Sequence, residues 1–168
     1  MSMNIKILAF FLLILSIEVF SQNNLVQVTD SYSYNFTFLD NGSISSSGYL
    51  DSLGTGNRDF FITQYDSLGN FEFTKIIGGV SNEYFSNIES SSNNSIIIGS
   101  SNSTGSGSED FCILKLDEFG DSLYTNVFGT LNPEKITAIS TKNDSYVYAG
   151  TKSVLNKNIV VGKISSSG

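Results

Sequence analysis

The sequence predicts an all-β protein built of antiparallel four-stranded blades, arranged as a partial β-propeller of about three blades. Short apolar runs rich in Ile, Phe, Val and Tyr recur about every ten to twelve residues and are bounded by Gly, Asn, Asp or Ser. Almost no segment shows the i, i+3, i+4 spacing of an amphipathic helix. The chain also repeats itself with a period of 51 residues, close to the length of one propeller blade.

The first 21 residues have the features of a secretory signal peptide. Lys6 supplies a positive charge, residues 7–15 are an unbroken apolar run, and Val19 and Ser21 are small residues where signal peptidase requires them. We therefore expect cleavage after Ser21 and a secreted or cell-surface protein. A membrane anchor is the alternative, but the apolar run is far shorter than the roughly 20 residues that span a bilayer.

The region 22–168 is expected to contain twelve strands, each enriched in β-branched or aromatic residues. In chain order they are 25–29, 34–39, 43–48, 60–65, 71–77, 84–89, 95–99, 111–116, 122–128, 136–140, 146–150 and 159–164. Twelve strands make three blades of four. We place the repeat units at about 22–56, 57–107 and 108–168.

The 51-residue period is carried by identical residues in two successive copies. In the first copy they are Gly48, Ser52, Gly54, Gly56, Asp59, Phe60, Ile62, Asp66, Gly69, Thr74 and Gly78. A third copy follows after a slightly shorter loop, with Asn158 and Ile159 in the places of Asp110 and Phe111. Self-similarity at a fixed period of this length is typical of repeat architectures.

The repeated residues have a physical use in such a unit. Strand alternation places Phe60 and Ile62 on one face of a sheet, and Phe73 puts an aromatic ring where neighbouring blades would pack. Asp66 is expected to accept backbone N–H groups within a tight turn that Gly69 closes with a positive φ. The equivalent residues in the next copy are Phe111, Ile113, Tyr124, Asp117 and Gly120.

Composition narrows the possible chemistry. The chain has no His and one Cys, and its formal charge of −7 comes from nine Lys plus Arg against sixteen Asp plus Glu. Without His there is no imidazole base, no Ser-His or Cys-His nucleophile pair and no His-ligated zinc site. The acidic balance argues against a nucleic-acid partner. A single Cys allows no internal disulfide, so packing must stabilise the fold.

Acidic residues remain as candidates for a site. Asp59 and Asp110 recur just before a strand, where repeated oxygen ligands would suit calcium, but no dense calcium loop is present. We expect them to cap turns, and the sequence leaves metal binding unknown.

A carboxylate pair for glycoside hydrolysis would have to come from one of two sets of acids. The sets are Asp51, Asp66 and Glu72, or Asp117, Glu118 and Asp121. Their spacing gives no sign of two acids facing each other across a substrate, so we expect no catalytic residues and no cofactor.

Two further features are expected to be structural. Cys112 lies on an apolar strand at the position that Phe61 takes in the previous copy, which predicts a small buried hydrophobe rather than a nucleophile. The Gly- and Ser-rich stretches 50–57 and 100–108 are expected to be loops between blades. Contact with a ligand at the rim of a propeller is the alternative for these loops.

The string DFFITQYDSLGNFEFTKIIGG at 59–79 recurs as DFCILKLDEFGDSLYTNVFGT at 110–130. It resembles the β-propeller repeat of secreted bacterial proteins (SBBP-like repeats) of the flavobacterial type, most closely over 113–121. The resemblance covers about residues 34–168, and it departs from the family at Phe73 and Tyr124, where the family commonly has Trp. It implies an exported binding or scaffolding role without assigned catalysis.

We therefore expect an exported, non-catalytic binding or structural module at or outside the cell surface, with no membrane span. Its partner is expected to be a protein or carbohydrate rather than nucleic acid. The alternative is the N-terminal part of a carbohydrate-active or other hydrolytic propeller enzyme. Closed propellers need about four to eight blades, so we expect an N-terminal part of a longer propeller. A short protein that self-associates through its open edge strands is the other possibility.

Overall fold

The computed structural model describes residues 31–51, 54–142, 145–153 and 157–165, which contain eleven β-strands and no helix. The strands are β1 Ser31–Phe38, β2 Ile44–Asp51, β3 Arg58–Tyr65, β4 Phe71–Ile77, β5 Glu83–Ser91, β6 Asn94–Ser101, β7 Asp110–Leu116, β8 Ser122–Phe128, β9 Glu134–Lys142, β10 Ser145–Ser153 and β11 Lys157–Ile164. The all-β prediction is confirmed. Eleven of the twelve expected strands are present, while the expected signal peptide and the strand at 25–29 lie outside the described residues.

The strands form three antiparallel sheets in which strands adjacent in sequence are adjacent in space. The first sheet has the order β1-β2-β3-β4, the second β5-β6-β7-β8, and the third contains β9, β10 and β11 with β10 in the middle. The boundaries expected at 57 and 108 fall between β2 and β3 and between β6 and β7, inside two sheets. The expected repeat units are therefore offset from the sheets by two strands. No helix in the described ranges is long and apolar enough to cross a membrane.

Apolar side chains join the sheets face to face. Between the first and second sheets the buried residues are Phe60, Ile62, Ile88, Ile97, Cys112, Leu114 and Leu116. Between the second and third sheets they are Ile96, Ile98, Phe111, Ile113, Ile136, Ile139, Tyr146 and Ile164. Removing a large aliphatic or aromatic side chain of this kind from water contributes about 1.5–3 kcal/mol.

The second sheet is buried on both faces. All seven residues of β7 are buried, because alternate side chains point into the two different apolar clusters. Phe73 packs at the boundary of the first and second sheets and Tyr124 at that of the second and third. The aromatic rings expected where neighbouring blades pack thus lie at contacts between sheets.

The two ends of the stacked sheets differ. At one end, called the turn end, tight turns join β3 to β4 and β7 to β8. Asp66 Oδ1 accepts the N–H groups of Leu68 and Asn70, each at 2.8 Å, and Gly69 has a φ of +86°. The turn at Asp117 has the same form. Both acids form turns as the sequence predicted.

The other end, called the loop end, carries the longer connections 78–82, 102–109 and 129–133. Here the N–H of Glu134 donates to the carbonyl of Glu109 at 2.7 Å, which ties the third sheet to the second, and an isolated parallel bridge between Arg58 and Asn82 ties the second sheet to the first. Adjacent sheets are therefore joined at the loop end by polar contacts as well as by their apolar faces.

The third sheet leaves apolar side chains on the face turned away from the second sheet. Ile159 is 82% exposed and Val161 67%, and Val147 on the neighbouring strand lies on the same face. In the sequence repeat, Ile159 and Val161 take the places of Phe111 and Ile113, which are 4% and 0% exposed. The same pattern of apolar residues is thus covered in one sheet and open in another.

Candidate functional site

The candidate site is a pair of buried carboxylates at the loop end, on the boundary of the first and second sheets. Asp59 lies at the start of β3 and Glu83 is the first residue of β5. Asp59 is 0% exposed and Glu83 3%. Burying acids is costly unless hydrogen bonds or opposite charges compensate them, so the surroundings of the pair decide its chemical state.

Backbone and hydroxyl donors satisfy three of the four carboxylate oxygens. Asp59 Oδ2 accepts the N–H of Gly56 at 3.3 Å. Glu83 Oε2 accepts the N–H of Gly79 at 3.0 Å, and its Oε1 accepts the hydroxyl of Ser101 at 2.9 Å. Asp59 Oδ1 is buried without a hydrogen-bond partner. The carboxylates hold the connecting loops in place, and one oxygen is left over.

Glycines allow the two acids to approach. A Cβ at Gly78 would collide with both Asp59 Oδ1 and Glu83 Oε2, and a Cβ at Gly54 would collide with Asp59 Oδ2. The unpartnered oxygen of Asp59 and the carboxylate of Glu83 therefore converge beside one glycine. These glycines are needed for close approach rather than for an unusual φ.

A second pair, Asp110 and Glu134, occupies the equivalent boundary between the second and third sheets. Asp110 Oδ2 accepts the N–H groups of Ser106 and Gly107 at 2.9 and 3.0 Å, and its Oδ1 is again buried without a partner. Glu134 Oε2 accepts the N–H of Thr130 at 3.0 Å. The geometry of the first pair thus recurs one sheet further along.

The two pairs differ in the groups around the glutamate. Ser101 is the cross-strand partner of Glu83, and Lys152 is the cross-strand partner of Glu134. The Lys152 ammonium lies 3.9 Å from Glu134 Oε1. At this cross-strand position the second pair has a cation and the first pair a hydroxyl, and the second pair also has the hydroxyl of Thr130, which donates to Glu134 Oε1 at 2.5 Å.

The pKa of Asp59 reflects its surroundings. Burial raises the pKa of its carboxyl above the ordinary value, and the neighbouring Glu83 carboxylate adds to the rise. The N–H of Gly56 acts in the opposite direction because it stabilises the ionised form. The increase shows that the protonated form of Asp59 is favoured more in the folded chain than in water.

A small, mostly apolar cleft of about 190 Å³ adjoins Glu83. It is lined by side chains of both sheets, including Phe60, Leu114 and Cys112, and by Thr104 of the loop 102–109. Burial, together with the charge of Glu83, raises the pKa of the Cys112 thiol to about 12. Cys112 is therefore a neutral buried group near pH 7, as the sequence predicted.

The acids considered for hydrolysis are held by other groups. Asp51 pairs with Arg58 at 2.9 Å, Glu72 accepts the side-chain amide of Gln64 at 3.0 Å, and Asp121 pairs with Lys75. Asp66 and Asp117 accept backbone N–H groups in their own turns. For Glu118, the contact that the structure shows is its backbone carbonyl, which accepts from Gln64. None of these contacts sets two acids across a space that a sugar would fill.

Metal ligands are sparse in the described ranges, which contain no group of three or more His, Cys, Asp or Glu residues able to hold an ion. Each buried pair offers two carboxylates, whereas calcium takes six to eight oxygen ligands. The donors around Asp59 and Asp110 are mainly backbone N–H groups of their loops. This arrangement suits the turn-capping role expected for both residues.

Sequence reasoning overlooked Glu83 and Glu134. The sequence did contain a signal, because these glutamates are 51 residues apart and each lies five residues after the glycine that ends the preceding strand. Pairing with an aspartate on a different sheet depends on how the sheets stack, which local sequence does not specify.

Compared with protein-family models and with curated proteins, the chain has no significant match.

Proposed function

We propose that this chain is an exported, non-catalytic binding or structural module built of β-propeller-like blades, acting at or outside the cell surface. Three antiparallel sheets stack in succession with corresponding faces turned the same way, which supports a blade-like arrangement. The observation that carries the proposal is the use made of the acids. Those at the sheet boundaries and turns accept hydrogen bonds from loop and turn N–H groups, which is a structural use.

We place contact with a ligand at the loop end, where the longer connections carry exposed apolar side chains. Val80 and Leu131 occupy equivalent places in the loops 78–82 and 129–133 and are 80% and 84% exposed. Apolar side chains repeated at one rim give a protein or carbohydrate partner a regular set of contacts. Leu68 is 86% exposed at the turn end and serves as a matched control position.

Binding and turnover are tested together on purified protein. A glycan array and a panel of bacterial cell-wall polysaccharides are probed with wild type, Val80→Asp/Leu131→Asp and Leu68→Asp, and chromogenic glycosides and esters are assayed in parallel. We expect retained binding in Leu68→Asp, loss of binding in the double variant and no turnover. Hydrolysis by the purified wild type would contradict the proposal and favour the hydrolytic-enzyme alternative.

Export is tested separately. The full chain is expressed in a Gram-negative host, cell fractions are separated, and the N-terminus of the product is sequenced. We expect processing after Ser21, with Gln22 as the first residue. An unprocessed chain that stays in the cytoplasm would rule out an exported role.

Self-association through the third sheet is the partner interaction that we propose. Among the described strands β11 pairs only with β10, and its other edge, which has no partner strand in that part of the chain, lies beside the exposed Ile159 and Val161. Sedimentation of wild type against Ile159→Lys/Val161→Lys tests it, with Val80→Lys as the control. We expect wild type to form oligomers and the double Lys variant to be monomeric. A wild-type monomer at all concentrations would refute self-association.

A further inference from the structure

We propose that Asp59 and Glu83 share one proton, which makes the stability of the contact between the first and second sheets depend on pH. Lys152 supplies the compensating positive charge at the equivalent Asp110–Glu134 pair. The inference concerns how the sheets are held together and stands independently of the proposed function.

The position of the unpartnered oxygen carries the argument. Asp59 Oδ1 is buried without a donor, and it converges with Glu83 Oε2 beside Gly78. Two ionised carboxylates in this arrangement repel each other in a poorly solvated space. One proton between them converts the repulsion into a short charge-assisted hydrogen bond and satisfies the unpartnered oxygen.

The groups facing the pair leave no other source of compensation among the described residues. From β6 it meets the hydroxyl of Ser101, and from β7 the charge of Glu83 acts on the neutral thiol of Cys112. Arg58, next to Asp59 on β3, is turned to Asp51 at 2.9 Å. The ion pairs formed in the described ranges include neither Asp59 nor Glu83.

A proton fits the space better than a metal ion does. Gly54 and Gly78 lie so close to the Asp59 carboxylate that neither position has room for a methyl group. A divalent cation would need further oxygen ligands in that same space.

The second pair is an internal comparison. Asp110 and Glu134 have the same glycine, Gly129, and the same unpartnered aspartate oxygen, yet the serine position is taken by Lys152. Two carboxylates and one ammonium carry the same net charge as two carboxylates and one proton. The chain thus compensates one boundary with a fixed charge and the other with a titratable one.

The sign of the pH dependence follows from linkage. Because the pKa of Asp59 is raised in the folded chain, its stabilising contribution is fully present below the ordinary pKa of an aspartate. That contribution is lost as the pH rises through the raised value. The contact between the first and second sheets is therefore more stable in mildly acidic solution than in alkaline solution.

The test compares the full chain with three variants by thermal unfolding between pH 4.5 and 8.5. Asp59→Asn mimics the protonated acid, Ser101→Lys installs the cation of the second pair, and Lys152→Ser removes it there. We expect the midpoint of wild type to fall with rising pH relative to Asp59→Asn and to Ser101→Lys. Lys152→Ser is expected to show a steeper fall than wild type.

A spectroscopic measurement on wild type keeps the test decisive if a variant fails to fold. Carbon-13 NMR of the side-chain carboxyls is expected to show Asp59 titrating above the range of the turn acid Asp66. Titration of Asp59 at its ordinary value would overturn the proposal, as would parallel midpoint curves for wild type and Asp59→Asn. A midpoint raised by added Ca²⁺ in wild type but not in Asp59→Asn would also overturn it, in favour of a metal ion.

Discussion

Replacing Phe111 by Ala removes the ring that joins the second and third sheets. Phe111 is 4% exposed, and its ring centroid lies 5.4 Å from that of Phe128 and 5.8 Å from that of Tyr148. Truncating a buried Phe to Ala typically costs about 3–5 kcal/mol, and the lost aromatic contacts favour the upper part of this range. For a chain of this size we expect the unfolding midpoint to fall by roughly 6–20 °C.

The assay is urea unfolding followed by circular dichroism, with thermal unfolding as a second measure. Phe119→Ala is the matched control, since Phe119 is the same residue type and is 65% exposed at the turn end. It is expected to change stability by less than about 0.5 kcal/mol. A double-mutant cycle of Phe111→Ala with Tyr148→Leu should give a coupling of about 0.5–1.5 kcal/mol. Equal effects of the Phe111 and Phe119 variants would refute the packing of the second sheet on the third.

Three further predictions concern single residues. Hydrogen bonds from the side chain of Asn70 and from backbone N–H groups of the same turn lower the pKa of Asp66. The stability that Asp66 contributes is therefore present above the ordinary aspartate pKa and is lost as the pH falls through the lowered value. Asp66→Asn should remove this loss of stability at acidic pH, measured by urea unfolding. Cys112 is buried and its thiol pKa is raised to about 12, so it should react with a thiol reagent at pH 8 only after denaturation, and rapid labelling of folded protein would contradict this. Gly78→Ala should destabilise the chain, measured by urea unfolding, because the added methyl collides with Asp59 and Glu83; unchanged stability would show that the pair is not closely packed.

Much of the fold could be predicted from sequence because its signals are local. A strand such as β3 is an apolar run ending at an Asp-x-x-Gly turn, and the hydrogen bonds of Asp66 with the positive φ of Gly69 complete that turn within five residues. The alternation of Phe60 and Ile62 likewise identified the face that packs on the next sheet. These features depend on neighbours in the chain, so they can be recognised without knowledge of the tertiary structure.

The acid pairs could not be predicted in the same way. Asp59 was expected to cap a turn, which its bond to Gly56 supports, but its proximity to Glu83 arises only when two sheets stack. The same holds for the different environments of the two pairs, since Lys152 reaches Glu134 through cross-strand pairing of β9 and β10. Tertiary stacking places the charges, and the 51-residue spacing records only that they recur.

The burial of the second sheet on both faces has a consequence for how the chain opens. Stability in a stack of this kind is a sum over contacts between neighbours, so a sheet with two neighbours is harder to release than a sheet with one. The amide protons of β7 should therefore exchange with solvent only when the whole chain unfolds, while those of β11 should exchange through smaller openings. The middle sheet would then be the last part of the molecule to lose its protection and the outer strand of the third sheet among the first.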